Sequence, residues 1–311
     1  LTIGTADGKI MLKRGKAPIT INRARYISTR NLEYAAEVAF DLSEKGTANC
    51  YILPVAYSEY VFDASVKGNS EESVGAIASA EVLWETRNTT TAMEVGDVIE
   101  SVSLEGTNVR FSLPFDPKPG NALIAVKDAH GTILWSWHIW VVDFDPVKTG
   151  QVYIGGNMMM DRNLGATLVE ATTYDHRNRA TGTLYQWGRK DPMTTGTVMT
   201  QRYPFSTPEE SYAEPTAFVW QEMYWTYQWD RYYWSSDQKT IYDPCPPGWT
   251  VADRATWDNI SVIEHTQYAV AFKYDNKSNK AVYPIGFHLD SGYNYSTAAY
   301  KKDSYRVLSS Y

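Results

Sequence analysis

The chain has 311 residues, long enough for two domains, since single cores stop growing efficiently at roughly 250 to 300 residues. Its 43% hydrophobic and 21% charged residues are globular in kind and count against a disordered chain. The net charge of -7 counts against a nucleic-acid partner, because phosphate recognition draws its affinity from clustered Lys and Arg.

Residues 1–33 hold two short alternating segments, KIMLK and APITINRARYI, around the turn-like Lys13-Arg14-Gly15-Lys16. They are expected to be strands of a region that begins upstream. The opening LTIGTADGKI has no Met, basic segment or apolar segment, so any export signal would lie upstream of it and the sequence does not show its own address.

Residues 34–147 read as strand, turn, strand. Tyr60, Phe62, Ala64 and Val66 recur at period two, as do Val109, Phe111 and Leu113, while VKGNS, FDPKPGNA and DAHGT supply turns. The short spacing predicts an antiparallel β-sandwich. In ILWSWHIWVV, residues 133–142, both alternating sets are largely apolar, which predicts a central strand covered on both faces. This run is also the longest apolar one, and it falls short of the roughly 20 residues that span a bilayer, so no transmembrane span is expected.

Beyond residue 147 the texture changes to long irregular sequence rich in Trp, Tyr, Gly and Pro, placing a domain boundary there and a second domain over residues 148–311. TVADRATWDNISVIEH, residues 250–265, is the expected helix, with Asp253 as its cap and Trp257, Ile260 and Ile263 on one face. Arg162 and Arg189 are expected to form bidentate pairs with Asp161 and Asp191. The three prolines of DPCPPGW predict a rigid corner with Trp249 in the core.

The cysteines, Cys50 and Cys245, are too few for a disulfide scaffold and have no CxxC spacing; two free buried thiols are expected, with a long-range bridge between them as the alternative. Catalysis at Cys245 would need an activating His or Lys, and only Lys239 lies nearby in sequence. His130, His138, His176, His265 and His288 show no metal-ligand spacing, so no cofactor is expected. Scattered Asp side chains leave calcium open, although Glu214-Pro215-Thr216 and Trp257-Asp258-Asn259 only approximate calcium-lectin triplets.

Three motifs, MDRNLGAT (160–167), GTLYQWGRKDP (182–192) and KTIYDPCPPGW (239–249), together resemble the Fibrobacter succinogenes major paralogous domain family of Bacteroidetes surface proteins. TANCYIL (47–53), SVKGN (65–69), SAEVLWET (79–86) and GNALIAVKDAHGTILWSWHIWV (120–141) resemble the β-rich module that precedes that domain in surface lipoproteins. The resemblance implies a C-type-lectin-like α+β fold for the second half. It implies a non-enzymatic adhesin of fimbrial-tip type at the outer membrane or on a pilus, with a glycan, a surface protein or other fimbrial subunits as partners. Two departures stand out. The family's second Cys after DPCPPGW is missing, and Trp249 is followed by Thr250-Val251-Ala252-Asp253 instead of the family's helix-entry sequence. The alternatives are a glycan-binding protein of a nutrient-uptake system and a formylglycine-generating-type oxidase, which would need Cys50 and Cys245 close together.

The segment FVWQEMYWTYQWDRYYW, residues 218–234, carries nine aromatic residues in seventeen and sorts them onto neither a strand face nor a helix face. Some of its rings are expected in the core and others outside as a recognition surface. Trp220, Trp225, Trp229 and Tyr232 are the candidates.

Overall fold

A computed structural model describes residues 2–4, 10–12, 39–54, 59–87, 95–144, 151–154, 157–169, 173–193, 200–219, 224–228, 230, 232–235 and 237–251. It also gives the backbone of strands over 260–265, 269–274, 280–284, 286–290 and 293–297. The chain divides into two compact units, Leu1–Glu37 and Val38–Tyr311. In the first, β1 (Thr2–Gly4) pairs antiparallel with β2 (Ile10–Leu12), the strand expected at KIMLK. The segment APITINRARYI lies outside the described residues.

The second unit is mainly β. Two four-stranded sheets are built from β3 (Phe40–Asp41), β4 (Cys50–Pro54), β5 (Glu59–Asp63), β6 (Ser79–Thr86), β7 (Ser101–Glu105), β8 (Asn108–Ser112), β9 (Gly120–Lys127) and β10 (Ile133–Val142). Their orders are β4-β10-β9-β6 and β3-β5-β8-β7. The expectation of purely antiparallel sheets is corrected. β4 runs parallel to β10 and β3 parallel to β5, so both sheets are mixed. The partners of each parallel pair are not joined by a tight hairpin, and alternation along one strand does not encode its neighbour's direction.

Strand β10 lies inside its sheet, as its two apolar faces predict. Trp135, Trp137, Ile139 and Val141 join Tyr60, Phe62, Val109 and Phe111 of the other sheet in one core. There the Trp137 and Phe62 rings stand 5.1 Å apart. The opposite set includes Trp140 and Val142, which enter a second core with Cys50 of β4 and with Leu164, Tyr185, Trp234 and Cys245 from the C-terminal half. The sheet is a wall between two cores, which explains why β10 shows no polar face.

The C-terminal half contributes β11 (Gln151–Ile154), β12 (Asn157–Met160), α1 (Tyr174–Thr181), β13 (Thr200–Arg202), a short 3-10 helix (Glu209–Ala213) and β14 (Ala217–Val219). Its remaining strands are β15 (Ile260–His265), β16 (Ala269–Tyr274), β17 (Lys280–Pro284), β18 (Gly286–Asp290) and β19 (Tyr293–Thr297). Helix α1 starts where Thr173 Oγ1 accepts the His176 N–H and stops at Gly182, whose φ is 75°. A Cβ at Gly182 would stand 2.1 Å from the Leu164 carbonyl oxygen, so the close approach requires glycine.

The helix expected over 250–265 is corrected. Its last six residues form β15, paired antiparallel with β16, and residues 252–259 lie outside the described residues. Ile260, Val262 and Ile263 are β-branched, and pairing with a neighbouring strand overrides the weak helical periodicity.

Candidate recognition surface

The aromatic segment divides between inside and outside. Trp225 is buried, its indole N–H donating to the Trp187 carbonyl at 2.9 Å, with Phe205, Tyr233 and Tyr242 around it. It is therefore core, and its expected role as an exposed binding ring is corrected. Trp234 is also buried, donating to the Tyr242 carbonyl. Tyr232 is exposed, at 60%, as the recognition reading requires. Trp220 and Trp229 lie outside the described residues.

In this segment and the one paired with it, three further described rings are exposed that sequence reasoning did not select: Tyr203, Tyr224 and Tyr227, at 74%, 40% and 69%. Backbone pairing brings their segments together. Phe205 N–H donates to the Trp225 carbonyl and Tyr227 N–H donates to the Phe205 carbonyl, each at 2.9 Å. Tyr203 is thus two residues from the point where its segment meets the one carrying Tyr224 and Tyr227. The Tyr233 hydroxyl donates to the Gln228 carbonyl and ties the Tyr232 turn to the same place. Gly188 makes room for Tyr233, since a Cβ there would stand 3.0 Å from the Tyr233 Cβ and 3.1 Å from its ring.

The outer rings are tyrosines and the inner ones are mostly tryptophans. A phenol keeps its hydroxyl in water at no cost, whereas a buried indole needs one fixed acceptor, which Trp187 and Tyr242 supply. This difference is the signal that separates Trp225 from Tyr232.

Charged groups support the packed rings. Arg189, wholly buried, donates to the carbonyls of Ala217 and Glu214 at 2.5 and 2.8 Å. Its Nε stands 3.5 Å from Asp191, so the bidentate pair expected there is corrected, whereas Arg162 does grip Asp161 with both Nε and Nη2, at 2.6 and 3.0 Å. Lys190 instead takes Asp191 at 2.5 Å and Ser136 Oγ at 2.7 Å. Burial pulls the pKa of both cations down, opposed by the Asp191 charge. At the rim Arg202 pairs with Glu214 at 2.5 Å and stacks on Phe205.

A second polar cluster is sealed in the wall. Asn121 Nδ2 donates to the Gly165 carbonyl, which leaves its Oδ1 to accept from His138 Nε2 at 2.9 Å. His138 Nδ1 then accepts, with the Tyr185 hydroxyl at 3.2 Å and Cys50 Sγ at 3.4 Å. Thiol, imidazole and amide in this order could form a nucleophilic relay in an open cleft. Here Cys50, Asn121 and Tyr185 have no exposed surface, and His138 has 1%. Burial pushes the Cys50 thiol up and pulls His138 down to about 3, so thiol and imidazole both stay neutral.

Cys245 shares this core as a free buried thiol, also pushed up by burial. It is held in the DPCPPGW corner by Asp243, which accepts from Cys245 N at 2.7 Å, Val251 N at 3.1 Å and Lys239 Nζ at 2.5 Å. Trp249 packs against the core only half-buried. Among the described residues no group of His, Cys, Asp and Glu is placed to hold a metal ion. No described helix is long and apolar enough to cross a membrane. No family model, curated protein or solved structure matches the chain.

Proposed function

We propose that this chain is a non-enzymatic recognition protein of the cell surface, an adhesin of fimbrial-tip type. A β-sandwich scaffold made from the two mixed sheets presents a C-type-lectin-like C-terminal domain, and that domain binds glycans through Tyr203, Tyr224, Tyr227 and Tyr232. The observation that carries this reading is four exposed tyrosines on adjoining backbone segments beside packed, buried Trp225, Phe205 and Trp234. Exposed rings gain about 25 cal/mol per Å² when a partner covers them, and sugar C–H faces suit flat rings. Packing that does not yield lets that gain appear as affinity instead of being spent on ordering side chains.

The export to the cell surface rests on the resemblance of the three C-terminal motifs and the preceding module to the Fibrobacter succinogenes paralogous domain family. A glycan-binding role in nutrient uptake would use the same surface, and neighbouring genes for hydrolases and transporters would mark it. The oxidase alternative requires a reachable thiol pair, and the burial of both thiols counts against it.

The test is a glycan array probed with the full chain and with Tyr203→Ala and Tyr227→Ala, beside attachment of coated beads to host and bacterial cells. Glycan binding and attachment reduced in the tyrosine variants, with melting temperature unchanged and chelator without effect, support the reading. Binding that ignores both substitutions overturns it.

A further inference from the structure

Resting on that reading, we propose that the tyrosine surface selects uncharged oligosaccharides over acidic ones. Among the described residues, the exposed charged side chains on the segments around the rings are all carboxylates: Glu209, Glu210, Glu214, Asp230 and Asp237. The cations of the same segments, among the described residues, are already engaged. Arg202 is paired with Glu214 and stacked on Phe205. Lys239 Nζ is caged by Asp243, Cys245 O and Trp249 O, at 2.5, 2.8 and 2.8 Å. A sialylated, uronic or sulfated sugar would approach carboxylates without a described cation left to meet it.

Three of these carboxylates are held in place. Glu210 accepts from the Ser206 N–H at 2.9 Å and Asp230 from the Tyr232 N–H at 2.9 Å, while Glu214 is fixed by Arg202. Carboxylates fixed by such donors are oriented acceptors, which suit the hydroxyl donors of a neutral sugar lying on the rings. A basic peptide would call instead for unpaired carboxylates, and three of these five already have a donor.

The experiment uses the full chain against a neutral N-acetyllactosamine oligomer, its sialylated and sulfated counterparts, and a lysine-rich peptide, each at low and high salt. The neutral oligomer should bind with little salt dependence and the acidic forms more weakly. Tyr227→Ala should cut neutral binding by about tenfold. Glu209→Lys, a surface change, should raise binding of the acidic forms. Tyrosine-dependent binding that is equal or stronger for the acidic forms overturns the selectivity and leaves the glycan surface standing. Salt-sensitive capture of the peptide alone, or no tyrosine-dependent glycan binding, overturns both.

Discussion

Asn49 donates through Nδ2 to the carbonyl oxygen of Asp243 at 2.9 Å, joining the TANCYIL strand to the DPCPPGW corner across 194 residues of chain. The same amide reaches the Ile241 carbonyl at 2.7 Å and accepts the Trp135 indole N–H at 3.0 Å. Asn49→Ala should therefore strand two carbonyls and one buried indole. The expected cost is about 2 to 4 kcal/mol in urea unfolding, with Asn49→Asp also destabilising because it cannot donate to carbonyls. A loss under about 0.5 kcal/mol would show that the clasp contributes little.

Acid should weaken the fold through His138. Its folded pKa lies near 3 and the unfolded imidazole titrates near 6.5, so between these values the unfolded chain binds the extra proton. Stability is unaffected above about pH 7 and falls by up to about 1.4 kcal/mol per pH unit as pH drops from about 6 toward 3. Glu85 acts in the opposite sense, because burial raises its carboxyl against four backbone N–H donors. Comparison with His138→Gln isolates the histidine. The variant's stability should show a flatter acid limb, and parallel limbs would exclude the effect.

Both thiols should resist a water-soluble thiol reagent in the native protein and react fully in denaturant. Cys50 and Cys245 are free and buried, and burial raises both thiol pKa values. Rapid native modification of either, followed by mass spectrometry, would contradict the sealed core.

Replacing Trp225 and replacing Tyr227 should have opposite signatures. Trp225→Ala opens a cavity beside Phe205 and Tyr242 and strands the Trp187 carbonyl, so a loss of about 3 to 5 kcal/mol in stability is expected. Tyr227→Ala should change stability by less than about 1 kcal/mol while weakening glycan binding by about 1 to 3 kcal/mol. Equal losses of melting temperature in the two would place Tyr227 in the core as well.

Alternation made much of the first half legible. Tyr60, Phe62 and Ala64 are buried as their period of two implies, and β10 is covered on both faces as its two apolar sets imply. Strand direction was not legible, since the parallel partner of β10 is Cys50–Pro54, almost ninety residues earlier. Helix α1 was missed because its sequence, YDHRNRAT, has almost no apolar stripe; only the Thr173 cap and the Gly182 stop mark it. At the candidate recognition surface the aromatic run was visible, but its division was not. Which ring goes inside depends on distant acceptors such as the Trp187 carbonyl, and Tyr203 lies outside the run altogether.

The alternation of β10 also sets how the chain can be cut or shifted. Moving the strand by one residue would send the indole of Trp137 among the thiols and bring the imidazole of His138 against Phe62, so single-residue insertions there should be far more damaging than paired ones. A fragment ending at residue 144 would present Trp140, Val142 and Cys50 to water, with His138 losing Tyr185. Such a fragment invites aggregation. The two halves of the Val38–Tyr311 unit should therefore be expressed and exchanged as one piece.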